Sequence, residues 1–533
     1  MAADRSEFAN PWLLRQLGIE RSEAWLVLCG ATCLFAVGWT DVSLANISEV
    51  FFLKRVGVEY LPWAFLGSSG LLVVTGVAVA RFVSGRDRGR LLPATFAVLA
   101  AILLGLWGFF HYVIPEAADW LLLISKQFKT TALIVFWVSL GDLVHGRQAK
   151  RLYAPLIAGF TLGSIAGSFA SGSIGSQFGL DAVLPITAAV LGLGALASLP
   201  LARLIESRLD RGLHAASGAS APAEETADSD VFGVLAMWRE NRLFRLLALL
   251  VVLGSLVAPM IYYQFQFVAN AATQGSGGEE QLLELYSQIR GWLNVAILLV
   301  QLKIASLVYR RIGVPLSSTI TPLLYIGGFV GLAFSMSLTI GVGAMVATRL
   351  SNQALHQPAL KVLFNLLPES LRARATAFLD GPLDRFGGVL GNVCVLLALE
   401  VGSLAAVSSL ALPISLAWGG VAVLIWRAYP QLLLGAAKGK GLAGHDAADP
   451  SDFLDRATLR GFAPDLLAED AGRCTAALGL IADADPALAA PLLFEAASKA
   501  GPDRRGLLLR ELVTTLGRSS EVHDRRLARQ VAT

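Results

Sequence analysis

The sequence predicts an all-α polytopic membrane protein, with twelve transmembrane helices in two six-helix halves and a small C-terminal helical domain. Three observations predict it. The 533 residues are 55% hydrophobic and only 16% charged, with a mean hydropathy of +0.61, whereas soluble domains carry about a quarter charged residues. The apolar residues fall in blocks of about twenty, the length that crosses a bilayer core of roughly 30 Å. Basic residues gather in alternate short connections between those blocks, as membrane topology demands.

Taken in order, the predicted spans are roughly 24–45, 60–80, 91–113, 117–143, 152–177, 182–202, 243–268, 285–309, 315–337, 340–366, 376–399 and 404–427. The connections on one side hold Arg81, Arg86, Arg88 and Arg90, then Arg147, Lys150 and Arg151, then Arg203, Arg208 and Arg211. In the second half they hold Arg310 and Arg311, then Lys361, Arg372 and Arg374. The opposite side holds only Lys54 and Arg55, and loop 270–283 has acids but no bases. The bias places both termini in the cytoplasm. The charged first twenty-three residues, with no small-residue cleavage site after them, predict that no signal peptide is removed. Three of the four cysteines, Cys29, Cys33 and Cys394, fall in spans and read as small apolar residues rather than as a disulfide framework or metal site.

The domain reading is a first membrane half over 1–205, a linker over 206–231, a second half over 232–428 and a helical tail over 429–533. The linker is small, polar and acidic ("GLHAASGASAPAEETADSD"). The tail alternates apolar helical runs with Asp/Pro/Gly breaks. Two readings of it stand: the start of a HEAT-like helical solenoid, or a small helical appendage with no activity of its own.

One phrase is written twice. "HGRQAKRLYAPLIAGFTLGSIAGS" (145–168) and "ESLRARATAFLDGPLDRFGGVLGN" (369–392) each run from a cationic loop into a glycine-spaced apolar helix. Arg151 and Arg374 are 223 positions apart, Gly163 and Gly387 are 224 apart, and Gly89 and Gly313 repeat the 224 offset. Two parallel six-span halves related by an axis along the membrane normal are the plan of the major facilitator architecture. The series Gly159, Gly163, Gly167 and the pair Gly387, Gly391 put small residues on one face of spans five and eleven, where helices approach closely. Tight packing explains them at minimum; freedom for the halves to rock is the functional reading.

Charges inside a bilayer cost roughly 2.5–3.5 kcal/mol each at the centre and mark functional paths. Spans three, six and nine carry none and span twelve only Arg427 at its last position, while span one has Asp41, span four Lys126 and Lys129, span eight Arg290 and Lys303, and span ten Arg349. Lys126 and Lys129 share a helical face, as do Arg290, Asn294 and Gln301, and Arg349, Asn352, Gln353 and His356 form a polar stripe at i, i+3, i+4 and i+7. Lys126 and Arg349 are 223 apart, and each lies about nine residues, or ~14 Å, in from its span's outer end. Two like charges at equal depth call for an anion. The substrate-binding candidates are therefore Lys126, Lys129, Arg290, Arg349, Asn294, Asn352, Gln353 and His356, with Asp41, Asp380, Asp384 and Arg385 as coupling or gating groups. The alternative is internal pairing of the cations with Asp41, Asp380 or Asp384.

"FWVSLGDLVHGRQAKRLYAPLIAGFTLGSIAGS" (136–168), "YYQFQFVANAA" (262–272) and "LFNLLPESLRARATAFLDGPLDRFGG" (363–388) resemble the ATP/ADP translocase family of plastids and intracellular bacteria, above all its bacterial relatives with a helical-repeat tail. The resemblance implies a major facilitator fold in a bacterial inner membrane that binds ATP-like nucleotides or other phosphorylated anions and exchanges them as an antiporter. The chain departs from it at Ser125 and Lys126, near which the exchangers carry an acidic residue, and in the tenth-span polar set.

Three function classes follow. The first is a secondary transporter of an organic anion, alternating access by rocking of the halves. The second is a membrane scaffold, sensor or lipid-handling protein whose tail recruits a cytoplasmic protein partner; a lipid substrate predicts a lateral opening lined by Leu and Phe. The third, an enzyme, lacks a convergent acid–base or nucleophile set: the six histidines are scattered, and neither HExxH nor GxSxG occurs. No GxxxxGK[ST] supports ATP-driven pumping. Nothing calls for a cofactor, a metal or a nucleic-acid partner.

Overall fold

The computed structural model describes residues 21–83, 88–113, 120–141, 146–216, 241–304, 313–364, 369–401, 404–439, 462–467, 471–482 and 486–518, with a few isolated positions between them. Arg86, Arg310, Arg311 and linker residues 217–231 lie outside the described residues.

Among the described residues, helical segments fall within each predicted interval. They are α1 (Arg21–Phe51), α2 (Leu61–Val83), α3 (Arg88–Tyr112), α4 (Leu121–Gly141), α5 (Gly146–Phe178), α6 (Val183–Ala216) and α7 (Arg242–Ala272). Next come α8 (Gly278–Leu299), α9 (Ile320–Phe334) and α10 (Leu338–Ser351), which continues through a π-turn (Asn352–His356) into Gln357–Phe364. α11 joins Glu369–Phe378, a π-turn (Leu379–Leu383) and Asp384–Glu400, and α12 is Leu404–Gly439. Among the described residues nine helices are long and apolar enough to cross a membrane: α1–α7, α11 and α12. α9 is apolar but shorter. α8 and α10 fall outside that set because they carry polar side chains, Glu279, Glu280, Glu284 and Arg290 on one and Arg349 to His356 on the other.

α1 runs farther than its apolar block suggests. Ile47, Val50, Phe51, Phe52 and Leu53 continue its buried face, and a π-turn carries the chain on through Phe52–Val56. Gly57, at φ 118°, ends it, its N–H donating to the Phe52 carbonyl at 3.0 Å. That backbone region is open to glycine and strained for other residues.

α1–α6 form one compact unit with residues 262–298 and 336–342; residues 227–261, 299–335 and those from 343 onward form the other. α7 thus contributes its first part to the second unit and its last part to the first. In the first unit α1 packs on α5, α6 and α4, and α3 packs on α6. A Cβ on Gly159 or Gly163 would strike the Ala31 or Phe35 carbonyl of α1, and one on Gly38 the Phe160 carbonyl of α5. In the second unit a Cβ on Gly387 or Gly391 of α11 would strike Val252 or Leu256 of α7. The repeated glycines therefore serve the same helix-on-helix contact in each sequence half. α12 packs on α9 and α11 and buries Trp418 against Tyr325, ring centroids 5.3 Å apart. The tail adds α13 (Ala471–Ala482), α14 (Pro486–Lys499) and α15 (Pro502–Arg518), whose apolar faces bury Ile481, Leu493, Leu508 and Leu512. Burial raises the pKa of the Cys474 thiol in α13.

Candidate substrate-binding site

In the first unit the predicted cation Arg290 is the centre of a buried polar network. α8 holds its guanidinium inside the bundle, where Nη1 donates to Asn46 Oδ1 at 2.6 Å and Nη2 to the Tyr262 hydroxyl at 2.7 Å. Nη2 also pairs with the Glu49 carboxylate. Glu49 Oε2 accepts from the Tyr262 hydroxyl at 2.6 Å and from Gln266 Nε2 at 2.7 Å. Tyr286 donates to Gln266 Oε1 and lays its ring 5.0 Å from the guanidinium carbon. Asn46 donates onward to Ser171 Oγ at 2.7 Å. A buried ion pair holds only when its remaining lone pairs and protons are satisfied, and this network satisfies them.

Lys126 borders the network. Its Nζ sits 4.5 Å from the Phe65 ring centroid, and that ring lies 6.0 Å from Tyr262. The ammonium is near enough for its charge to act on Glu49. One turn along α4, Lys129 pairs with Asp41 at 2.7 Å and lies 5.2 Å from the Phe160 ring. Asn294, one turn beyond Arg290, is half-buried. Lys126, Lys129 and Arg290 are thus gathered with Asp41 and Glu49 in the first unit.

The second unit holds the remaining candidates. Arg349 is half-buried, and beside it Thr348 Oγ1 donates to the Ala344 carbonyl at 2.7 Å while Asn352 Oδ1 is buried without a partner. The π-turn at Asn352–His356 shifts the register, so the predicted stripe does not stay on one face. Gln353 is exposed, and its carbonyl accepts from Gln301 Nε2 at 3.2 Å. His356 is buried edge-on against Trp418, centroids 5.3 Å apart. Asp380 pairs with Lys361, Asp384 accepts from Ser255, and Arg385 is half-buried beside them. Lys303 is exposed.

Sequence reasoning did not single out Glu49, Asn46, Gln266, Tyr286 or Tyr325. One signal was present: a buried arginine requires a carboxylate, and Glu49 lies just past the predicted end of span one.

The two cations on the base-poor side also have partners within the first unit. Lys54 Nζ donates to the carbonyls of Asn270 and Thr273 at 3.2 and 2.7 Å, at the end of α7. Arg55 forks onto Glu279 at 2.8 and 3.0 Å. Ser168 of α5 donates to the Ser287 carbonyl of α8 at 3.0 Å.

No family model matches the chain, and no curated protein matches it in sequence. Solved structures do match its fold. A mutant of the nucleoside transporter NupG aligns at a TM-score of 0.50 and 15% identity, over 76% of this chain and 99% of that one. A mutant of the peptide transporter POT in complex with alafosfalin aligns at 0.52 and 13%, over 77% and 95%. The fold is that of the major facilitator transporters. A bacterial homologue of the iron transporter ferroportin, in an inward-facing state, also aligns, at 0.50 and 13%, over 76% and 98%. Identities this low carry the major facilitator fold and leave substrate to the side chains.

Proposed function

We propose that this chain is a secondary transporter that moves an organic anion, a nucleotide or other phosphate ester, across the membrane by alternating access. The observation that carries the reading is Lys126: an ammonium within a membrane span, beside an aromatic ring, at the edge of the buried Arg290–Glu49 network. Lys126, Lys129 and Arg349 contact the anion, and Asn294 and Asn352 orient it through hydrogen bonds, whereas Gln353 and His356, parted by the π-turn, do not act on it together. Arg290 acts with Glu49 as a compensated pair that an incoming anion competes for. Asp41, Asp380, Asp384 and Arg385 serve as coupling or gating groups. Both termini face the cytoplasm of a bacterial inner membrane, so Lys54 and Arg55 lie at the outer end, and the tail is free to bind a protein partner. The fold-level likeness to a nucleoside transporter supports testing nucleotides first.

Uptake of labelled nucleotides and phosphate esters into proteoliposomes tests this. Lys126→Gln and Arg349→Gln are each expected to lower uptake about tenfold or more, the equivalent of about 1.4 kcal/mol of lost binding. Uptake unchanged in both variants overturns the site, and a wild-type protein that moves none of these anions overturns the substrate class.

A further inference from the structure

The Arg290–Glu49 and Lys129–Asp41 pairs of the first unit differ in access. Arg290 and Glu49 are 8% and 5% exposed, and Asn46, Tyr262 and Gln266 complete their hydrogen bonds. Lys129 and Asp41 are 38% and 25% exposed, with Nζ 2.7 Å from Oδ2. The backbone fixes this open pair in place. α1 packs on α4 and α5, Gly38, one turn before Asp41, lies against the Phe160 carbonyl, and the Lys129 ammonium lies 5.2 Å from the Phe160 ring. Lys126 stands one turn from Lys129 on the same face of α4, at a Cβ separation of about 5–6 Å. An accessible carboxylate here opposes a plain anion. An anion on Lys129 either displaces Asp41 or sits against it. Displacement leaves a carboxylate without its cation inside a membrane span, and contact sets two like charges together. A substrate with an ammonium of its own removes the conflict. Lys129 then exchanges Asp41 for the substrate's anionic group, and Asp41 exchanges Lys129 for the substrate's ammonium. Two ion pairs replace one, and no charge is left alone.

We infer that the substrate of this site is an amino-substituted anion, such as a phosphate ester that carries an ammonium group, with Asp41 holding the ammonium and Lys129 the anionic group. Lys129 and Asp41 stand in contact, so the linker between the substrate's two charges is short. The inference rests on the proposed anion site and narrows its substrate. It also gives Asp41 a direct contact with the substrate: the Lys129–Asp41 pair is closed in the empty site and opens when both of its members find partners on one molecule.

Initial uptake of two labelled esters into proteoliposomes of the full chain tests the inference: 2-aminoethyl phosphate and 2-hydroxyethyl phosphate, which match in size and differ in the ammonium. Below saturation, wild type is expected to take up the amino ester about tenfold faster. Asp41→Asn brings the two esters to parity, and Asp41→Glu keeps the preference. The readout is a ratio, and a loss of folded protein lowers both esters alike without moving it. Equal uptake of the two esters by wild type, or a preference that survives Asp41→Asn, overturns the inference and leaves anion transport standing. Uptake of neither ester overturns both readings. The wild-type ratio decides even where a variant does not fold.

Discussion

The Arg290–Glu49 pair decides the energetics of the first unit. Both side chains are buried, 8% and 5% exposed, and removing one partner of such a pair costs about 3–5 kcal/mol because the other charge is left without compensation. Replacing both with apolar residues of similar size costs far less. Glu49→Leu and Arg290→Leu should therefore each lower the melting temperature in detergent, while the double variant melts closer to wild type. Additive losses in the double variant would show that the two groups are not coupled. The cations of this site were legible in the sequence because a charge in an apolar span stands out. Its carboxylate was not, because hydropathy falls near Asn46 while the helix continues to Phe51. A hydropathy window sees solvent preference, whereas the helix continues on the buried face of Ile47, Val50 and Phe51.

Among the elements, the glycine-faced helices were the most legible part of the fold. Their spacing announced close approach, and the backbone of α1 lies against α5, as that of α7 lies against α11. Gly163→Val and Gly391→Val should reduce the folded fraction recovered in detergent, each destabilising by about 1–3 kcal/mol or more, since extra methyls meet backbone rather than movable side chains. Gly105→Ala and Gly192→Ala meet nothing within 4 Å and should be recovered as wild type. Equal recovery across the four variants would remove the packing role. The π-turns were not legible. A polar stripe read at the 3.6-residue period assumes an unbroken α-helix, and the wider turn at Asn352–His356 parts Gln353 from the buried His356. Such turns often mark functional sites, and this one falls among the candidate anion ligands.

At the scale of the whole molecule, the internal repeat predicts two halves but not which contacts between the halves are closed. The first compact unit already joins α1–α6 to the last part of α7 and most of α8, and the contacts that join them include Lys54 on the α7 carbonyls, Arg55 on Glu279 and Ser168 on Ser287. The two bases that break the charge bias of the loops are thus the ones that hold this seal. On the proposed alternating-access cycle the seal parts once per turn, so its bonds would have to be strong enough to close and weak enough to release. Exposed pairs such as Arg55–Glu279, worth about 0–1 kcal/mol, suit that demand. Arg55→Cys with Glu279→Cys, bridged by a reducible bis-methanethiosulfonate reagent, should arrest uptake, and reduction should restore it. The three buried native cysteines, Cys29, Cys33 and Cys474, leave the added pair as the accessible target, with half-buried Cys394 replaced by Ala in the background. A bridged protein that transports at the wild-type rate would mean that this end of the helices stays shut throughout the cycle, and that substrate passes by some other motion.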